Sequence, residues 1–489
     1  MKSIKPEVYN FEVGSKRFLF DISKSMFFEI DSLAKEVLNL APHYEENQLV
    51  NILADRHKRK DVLAVLREWR EFKKWGFFQP KNDNEVLAEY KVPLFQLFLS
   101  ASHGCNLSCR YCYSENKADW DYKQRMMSED IARKSVDFVI SEFAEKVNSL
   151  HIWLVGEGEP LMNFGLFKSL KKYCKRKEEK YKKKIYFLIG TNGTLFNEEI
   201  LQYLNTEDQN QRISISIDGD RMVHNRMRIF KDGRGSYEVI RPWIERITSS
   251  GEFTSELRNT WASVVITGMT KNITEILKHL RELNFRRVQM KPVRAPRDKF
   301  FAITEENIKN IKKIYTDFTQ FLIETALDDN LEYIKMILNR YDFLGRFIIR
   351  VLTGSKMTYR CRAGKNMVSV AANGDIYPCD SFVGNTEFRL GNVKTGWHKN
   401  KRKLFFDLHV AKKKICNTCW ARYLCGGGCY YSAYLCNGRL DKPDPVNCQL
   451  VKHLIKLSLL FTTSVSEKNP GAFKKIYRLA RFKDRGTFL

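Results

Sequence analysis

No stretch of this chain approaches the ~20 consecutive apolar residues that a membrane-spanning helix requires, and the opening MKSIKPEVYNFEV has no apolar signal core. A membrane-spanning chain is therefore excluded, and a cytoplasmic location is expected. Solenoid-like repeats are also missing, which excludes a repeat array. Acidic residues are in deficit: 57 Asp and Glu against 83 Lys and Arg leave a net charge of +26. Much of that excess lies in residues 171–184 and 474–485, and neither run carries a base-reading motif. Solvated helix faces are thus preferred over a nucleic-acid partner. Core-forming material is plentiful, since 43% of the 489 residues are hydrophobic and 13% aromatic, which suits roughly three packed domains and excludes a disordered chain. Cysteine is plentiful too. Twelve cysteines in a reducing compartment point to metal ligands or reactive groups rather than disulfides.

The apolar period changes along the chain. Tyr9, Phe11 and Val13, then Phe18, Phe20 and Ile22, then Met26, Phe28 and Ile30 alternate with period two, as short antiparallel strands do. Leu33, Val37, Leu38 and Leu40 are spaced for a helix ending at Pro42, and Val62, Val65, Leu66, Trp69 and Phe72 for another closed by Gly76. Strands followed by helices make residues 1–85 a winged-helix-like module, with a polar linker over 80–85. From Pro93 a strand-loop-helix pattern repeats, with strand candidates at 94–99, 150–155, 185–189, 213–217, 261–266 and 287–291. Six βα units predict an α/β fold with parallel strands, a partial TIM-like barrel over 93–300 whose chemistry sits on loops at the strands' C-terminal ends. A helical connector (301–355), a Cys- and Gly-rich region (356–450), and a C-terminal helix with a basic tail (451–489) complete the expected layout.

Directly after the first barrel strand, Cys105, Cys109 and Cys112 form a CxxxCxxC loop. Three thiolates from one loop suit an iron-sulfur cluster with one iron left open. The alternative is zinc, with His103 as a fourth ligand, although zinc loops usually pair cysteines as CxxC. With Tyr111 inside it, the loop resembles that of the radical S-adenosylmethionine (radical SAM) family. The resemblance implies a partial (β/α)6 barrel, a [4Fe-4S] cluster whose open iron chelates S-adenosyl-L-methionine, and a 5′-deoxyadenosyl radical that abstracts hydrogen. Gly156-Glu157-Gly158-Glu159-Pro160 after the second strand resembles the family's GGEP loop, although Glu157 stands where many members carry glycine. Thr191 and Asn192 follow the third strand; Ser216 and Asp218, with Arg228 beyond, follow the fourth. By resemblance, Tyr111, Gly158, Glu159, Pro160, Thr191, Asn192, Ser216, Asp218 and Arg228 are the expected cofactor contacts, Glu159 taking the methionine ammonium.

Seven further cysteines lie between 361 and 448, too many for one four-ligand site and nearly enough for two. Zinc ribbons would account for Cys416 and Cys419 alone. The full spacing is similar to the SPASM extension of radical SAM maturases, which carries two auxiliary [4Fe-4S] clusters and brings the expected total to three. Carried over by motif position, Cys361, Cys379 and Cys429 hold the first, one ligand short, and Cys416, Cys419, Cys425 and Cys448 the second. Cys174 and Cys436 match no position. Asp380, directly after Cys379, is either a surface carboxylate or a general base, as in the related sulfatase-maturing enzymes.

The layout resembles thioether-forming peptide maturases. It implies a peptide or protein substrate, with a leader bound by strand addition to the N-terminal module, and an electron donor such as flavodoxin or ferredoxin. The expected reaction is hydrogen abstraction followed by a Cys-to-carbon thioether crosslink. Formylglycine formation in a sulfatase is the alternative, and a nucleic-acid-binding or RNA-modifying iron-sulfur protein a further one.

Overall fold

Short alternating strands open the chain. The computed structural model describes residues 7–41, 43–79, 94–114, 126–143, 145–205 and 210–484, so Pro42, Pro93 and the 80–85 linker lie outside the described residues. Strands β1 (Val8–Val13), β2 (Lys16–Asp21) and β3 (Met26–Glu29) form an antiparallel sheet in that order, with Phe11 opposite Phe18. Helices Ser32–Leu40, Glu46–Ala54 and Arg59–Lys74 follow. The middle helix was not legible in the sequence, because only Leu49, Val50 and Leu53 mark its buried side. These helices share a small core of their own, whereas Phe11, Phe18, Phe20 and Ile22 join the main core of the molecule. The Tyr9 ring stacks on Trp420 at 4.7 Å, and Phe11 lies 5.6 Å from the same indole.

The six expected barrel strands form β4 (Leu94–Leu99), β5 (Ser149–Leu154), β6 (Lys184–Thr191), β7 (Gln211–Ser216), β8 (Trp261–Ile266) and β9 (Arg287–Pro292). They pair in sequence order, every neighbour parallel. Amphipathic helices cover the outer face; Glu129–Phe143 buries Ala132, Val136, Val139, Ile140 and Phe143. Parallel strands with helical crossovers place the loops after each strand at one end of the sheet. The basic run at 171–184 lies largely on helix Phe164–Tyr181, which buries Leu166, Phe167, Leu170 and Cys174 and leaves Lys172, Lys175, Arg176 and Lys180 in solvent. The run is the solvent-facing side of an amphipathic helix.

Helices Ile308–Leu327, Glu332–Ile337 and Gly345–Thr353 connect the barrel to β10 (Met367–Val370), β11 (Asp375–Tyr377), β12 (Gly391–Asn392) and β13 (Gly396–Trp397). β10 pairs parallel with β4, and β11 to β13 extend the sheet antiparallel. The Cys-rich region is therefore a continuation of the barrel sheet, and its residues meet the barrel loops directly. The run at 474–485 is no tail as far as it is described. Through Asp484 it belongs to helix Pro470–Asp484, whose Ala472, Ile476 and Ala480 are buried. Among the described residues, no helix is long and apolar enough to cross a membrane.

Candidate active site

The loop after β4 is held from two sides. Ser108 N donates to Ile229 O and Arg110 N to Met227 O, while Glu159 N donates to Gly104 O at 2.9 Å. Gly158 sits where no side chain fits, since a Cβ would lie 2.2 Å from Gly104 O and 2.4 Å from Ser102 O. The GEP segment and the cysteine loop are thus in backbone contact. Leu107 N and the Asn192 amide both donate toward Cys105 Sγ, at 3.4 and 3.7 Å. Burial pushes the Cys105 thiol up to about 11 and Cys109 to about 12, the nearby Arg228 guanidinium opposing the latter. Soft, desolvated sulfurs that already attract N–H donors suit an iron-sulfur cluster, whose charge such donors stabilise.

One ring nitrogen of His103 is already engaged. Its Nε2 accepts from Ala372 N at 3.0 Å, tying the barrel to the strand region of the Cys-rich segment. Among the described residues, no three His, Cys, Asp or Glu side chains converge as one metal ion requires. Thiolates that each bind a separate iron of a cluster have no such need.

The expected cofactor residues divide into two groups. Tyr111, Gly158, Glu159, Thr191, Asn192, Ser216 and Arg228 line one cavity; Pro160 and Asp218 do not. Glu159 accepts from Leu161 N, Thr191 Oγ1 (2.6 Å) and Asn192 N (2.7 Å), which uses three of about four acceptor positions on its carboxylate. Burial nonetheless pushes it up to about 7. It organises three loops at once, and only one position remains for a ligand. Asp218 is fully engaged beneath the loop, accepting from the Tyr111 hydroxyl, Arg228 Nε (3.0 Å) and Val265 N (3.0 Å), with Arg228 stacked over the Tyr111 ring. Ser216 makes no side-chain hydrogen bond among the described residues and faces the cavity.

The cavity is large, about 1370 Å³, and its lining also includes Cys361, Cys379, Asp380 and Cys429. Of the seven C-terminal cysteines, Cys361, Cys379 and Cys429 line the cavity and the other four do not. Cys379 is raised by burial and by the charges of Asp380, Cys361 and Cys429. Cys416 is raised to about 11 by burial and by Cys425 and Cys419, and Cys448 to about 12 by burial and by Cys425, Cys416 and Cys419; these four lie off the cavity. Gly426, Gly427 and Gly428 make the division possible: all three have positive φ, and a Cβ on Gly426 would meet Tyr359 O at 2.5 Å. The turn sends Cys425 to one set and Cys429 to the other. Cys174 is buried in the barrel core, and Cys436 is outside the cavity lining.

Four residues at the junction were missed in the sequence. The Tyr113 hydroxyl donates to Asp380 Oδ2 at 3.1 Å, joining the loop after β4 to the Cys-rich region. Ser100 Oγ donates to buried Glu157 at 2.5 Å. Arg294, after β9, binds Ser381 Oγ; Lys291, on β9, also lines the cavity. Burial would push the Cys429 thiol up, but Arg294 and donors from Ser432 bring it below its usual value. Adjacency to Cys112 was the one available signal for Tyr113; nothing local marked Arg294.

The radical SAM superfamily model matches residues 99–290, and the SPASM iron-sulfur cluster-binding domain matches 361–420. The protein is thus a radical SAM enzyme with a SPASM extension, a class that uses S-adenosylmethionine and iron-sulfur clusters. More particularly, it is similar to the cysteine-type anaerobic sulfatase-maturating enzyme of Clostridium perfringens, 26% identical over 350 residues, covering 69% of this chain and 89% of that protein. The serine-type enzyme of Bacteroides thetaiotaomicron is 22% identical over 368 residues, covering 70% and 84%. The solved structure of native anSMEcpe with bound AdoMet matches with a TM-score of 0.60 at 22% identity, covering 80% of this chain and all of that one.

Proposed function

We propose that this enzyme modifies a cysteine-containing peptide, closing a thioether between a substrate cysteine and a carbon from which hydrogen has been removed. The observation that carries this reading is that the Cys105 loop and the three-cysteine set with Asp380 open on the same cavity. In this reading Cys105, Cys109 and Cys112 hold one [4Fe-4S] cluster, Cys361, Cys379 and Cys429 a second, and Cys416, Cys419, Cys425 and Cys448 a third. When bound at the first, S-adenosylmethionine supplies the 5′-deoxyadenosyl radical that removes the hydrogen atom. Asn192, Ser216 and Arg228 orient the cofactor, and Glu159 offers it one remaining acceptor position. Asp380, steadied by Tyr113, takes the proton from the incoming cysteine Sγ as that thiol docks beside Cys361, Cys379 and Cys429, and the one electron released when the sulfur joins the carbon radical passes to the cluster those cysteines would hold. Arg294 offsets the negative charge gathered there. A set of three thiols rather than four leaves room for a fourth sulfur from the substrate. Reducing equivalents come from a flavodoxin or ferredoxin, and β1–β3 with their helices engage a leader segment.

The similarity to sulfatase-maturating enzymes favours a second reading, oxidation of a substrate cysteine to formylglycine. Mass spectrometry separates the two. Reconstituted enzyme, S-adenosylmethionine and reductant are incubated anaerobically with cysteine-rich peptides and with sulfatase-type peptides. A loss of two hydrogens with disappearance of a free thiol supports thioether closure, and loss of sulfur supports formylglycine. Absence of 5′-deoxyadenosine refutes both.

A further inference from the structure

Cations with no directly paired carboxylate line the cavity. Lys291, Arg346 and Arg360 line it, and no hydrogen bond or ion pair joins any of them to a carboxylate among the described residues. Arg346 spends Nε and Nη2 on the backbone carbonyls of Asp342 and Tyr341, at 2.9 and 3.0 Å. The nearby carboxylate of Asp342 accepts instead from the amides of Met290, Leu344 and Gly345. Arg360 and Arg346 both rest against the Phe343 ring, at 5.6 and 4.9 Å, and Arg360 Nη1 is buried with no hydrogen-bond partner.

Like charges press on Lys291 and Arg346, offset in part by Asp342 and, for Lys291, by Asp380, whereas Arg360 neighbours the Cys361 and Cys429 thiols. Burial together with Arg360 and Arg350 pushes Arg346 well below its ordinary value, and burial with Arg294 and Arg346 pushes Lys291 to about 8. Other cavity cations differ: Arg228 pairs with Asp218 and Arg297 with Asp444. Arg294 stands by Cys429, Cys379 and Asp380, where a cluster's negative charge would offset it. The principal electrostatic neighbours of Lys291 and Arg346 include no cysteine, so a cluster does not account for those two. Desolvated like charges are costly to hold together, and an anion bound among them removes most of that cost.

We infer that Lys291, Arg346 and Arg360 form a carboxylate-binding subsite that anchors the substrate peptide, through an Asp or Glu side chain or its C-terminal carboxylate, beside the reacting residue at Asp380. The inference rests on the peptide-modifying reading above and adds to it a rule of substrate choice. Arginine's fork matches a carboxylate's two oxygens, so a charged group is favoured over its neutral isostere.

The test uses reconstituted holoenzyme with S-adenosylmethionine and no reductant. The probes are short dye-labelled Gly/Ser/Ala peptides with one cysteine. A single Glu or Gln is walked along each side of that cysteine, and each peptide is made with a free and an amidated C-terminus. Fluorescence anisotropy should show at least one Glu placement, or the free C-terminus, binding about tenfold tighter than its neutral partner, which also identifies the source of the carboxylate. In Lys291→Met, which breaks no hydrogen bond, that ratio should fall to within about twofold. Arg346→Gln should act likewise at unchanged iron content, with partial rescue by Arg346→Lys. Any of four outcomes overturns the inference: no charged probe is preferred by wild type; the preference survives in Lys291→Met; Lys291→Met weakens S-adenosylmethionine binding without peptide; or single-stranded RNA binds while both peptide series do not. Deoxyadenosine release from the same samples after reduction tests the radical chemistry separately, because it does not depend on the Glu-to-Gln ratio.

Discussion

Replacing Gly158 with alanine tests whether the cysteine loop and the GEP segment form one rigid unit. The added methyl would lie 2.2 Å from Gly104 O and 2.4 Å from Ser102 O, both backbone atoms that cannot rotate aside. Relieving that overlap moves one loop off the other and breaks the 2.9 Å bond from Glu159 N to Gly104 O. Overpacking of this kind costs about 1–3 kcal/mol, and the lost bond about 1 kcal/mol more. The strain falls where Cys105 and Glu159 meet. If only about 1.4 kcal/mol of it is expressed there, S-adenosylmethionine binds about tenfold more weakly. Equilibrium binding to reconstituted protein, iron content and the thermal midpoint are the measurements. Gly165→Ala is the control: it is exposed in helix Phe164–Tyr181, an added Cβ meets nothing within 4 Å, and it should gain about 0.5–1 kcal/mol. Wild-type affinity and iron content in Gly158→Ala would refute the reasoning.

Arg228→Met should cost about 3–5 kcal/mol by stranding buried Asp218, and pairing it with Asp218→Asn, which removes the charge but keeps an acceptor, should recover part of that loss in denaturation experiments. Trp420→Ala should destabilise by about 3–5 kcal/mol and raise hydrogen exchange in β1, since Tyr9 and Phe11 stack on that indole; unchanged exchange would show the sheet to be held elsewhere. Burial, with Arg362 adding to it, holds His151 down at about 3, and burial holds His224 there too. Unfolded histidines take a proton near 6.5, so the unfolded chain binds more protons between about pH 6.5 and 3 and stability falls as pH drops through that window, by about 2 kcal/mol per histidine at pH 5. His151→Gln should remove its share of that pH dependence in denaturation midpoints measured at pH 7 and pH 5.

Features built from near neighbours in the chain were legible. Period-two and period-3.6 patterns placed the barrel strands within about two residues, because burial of one face or both is written directly into side-chain order. The helix Glu46–Ala54 escaped because nine residues with three buried positions give little periodic signal. The run 474–485 read as a tail because its lysines and arginines outnumber the few apolar residues that pack it.

By itself, then, the sequence determined the parallel barrel, the cysteine loop after its first strand and the cysteine-rich extension, all consequences of spacing along a chain. Only the tertiary structure decided that β10 joins β4, that Asp218 serves Arg228 rather than the cavity, and that Tyr113 reaches Asp380 across 267 positions. It also decided that Lys291, Arg346 and Arg360 line one cavity with no hydrogen bond or ion pair to a carboxylate among the described residues. Pairing between charges, thiols and hydrogen-bonding groups depends on distance in space, and that distance is set by how strands and helices stack rather than by their separation in sequence.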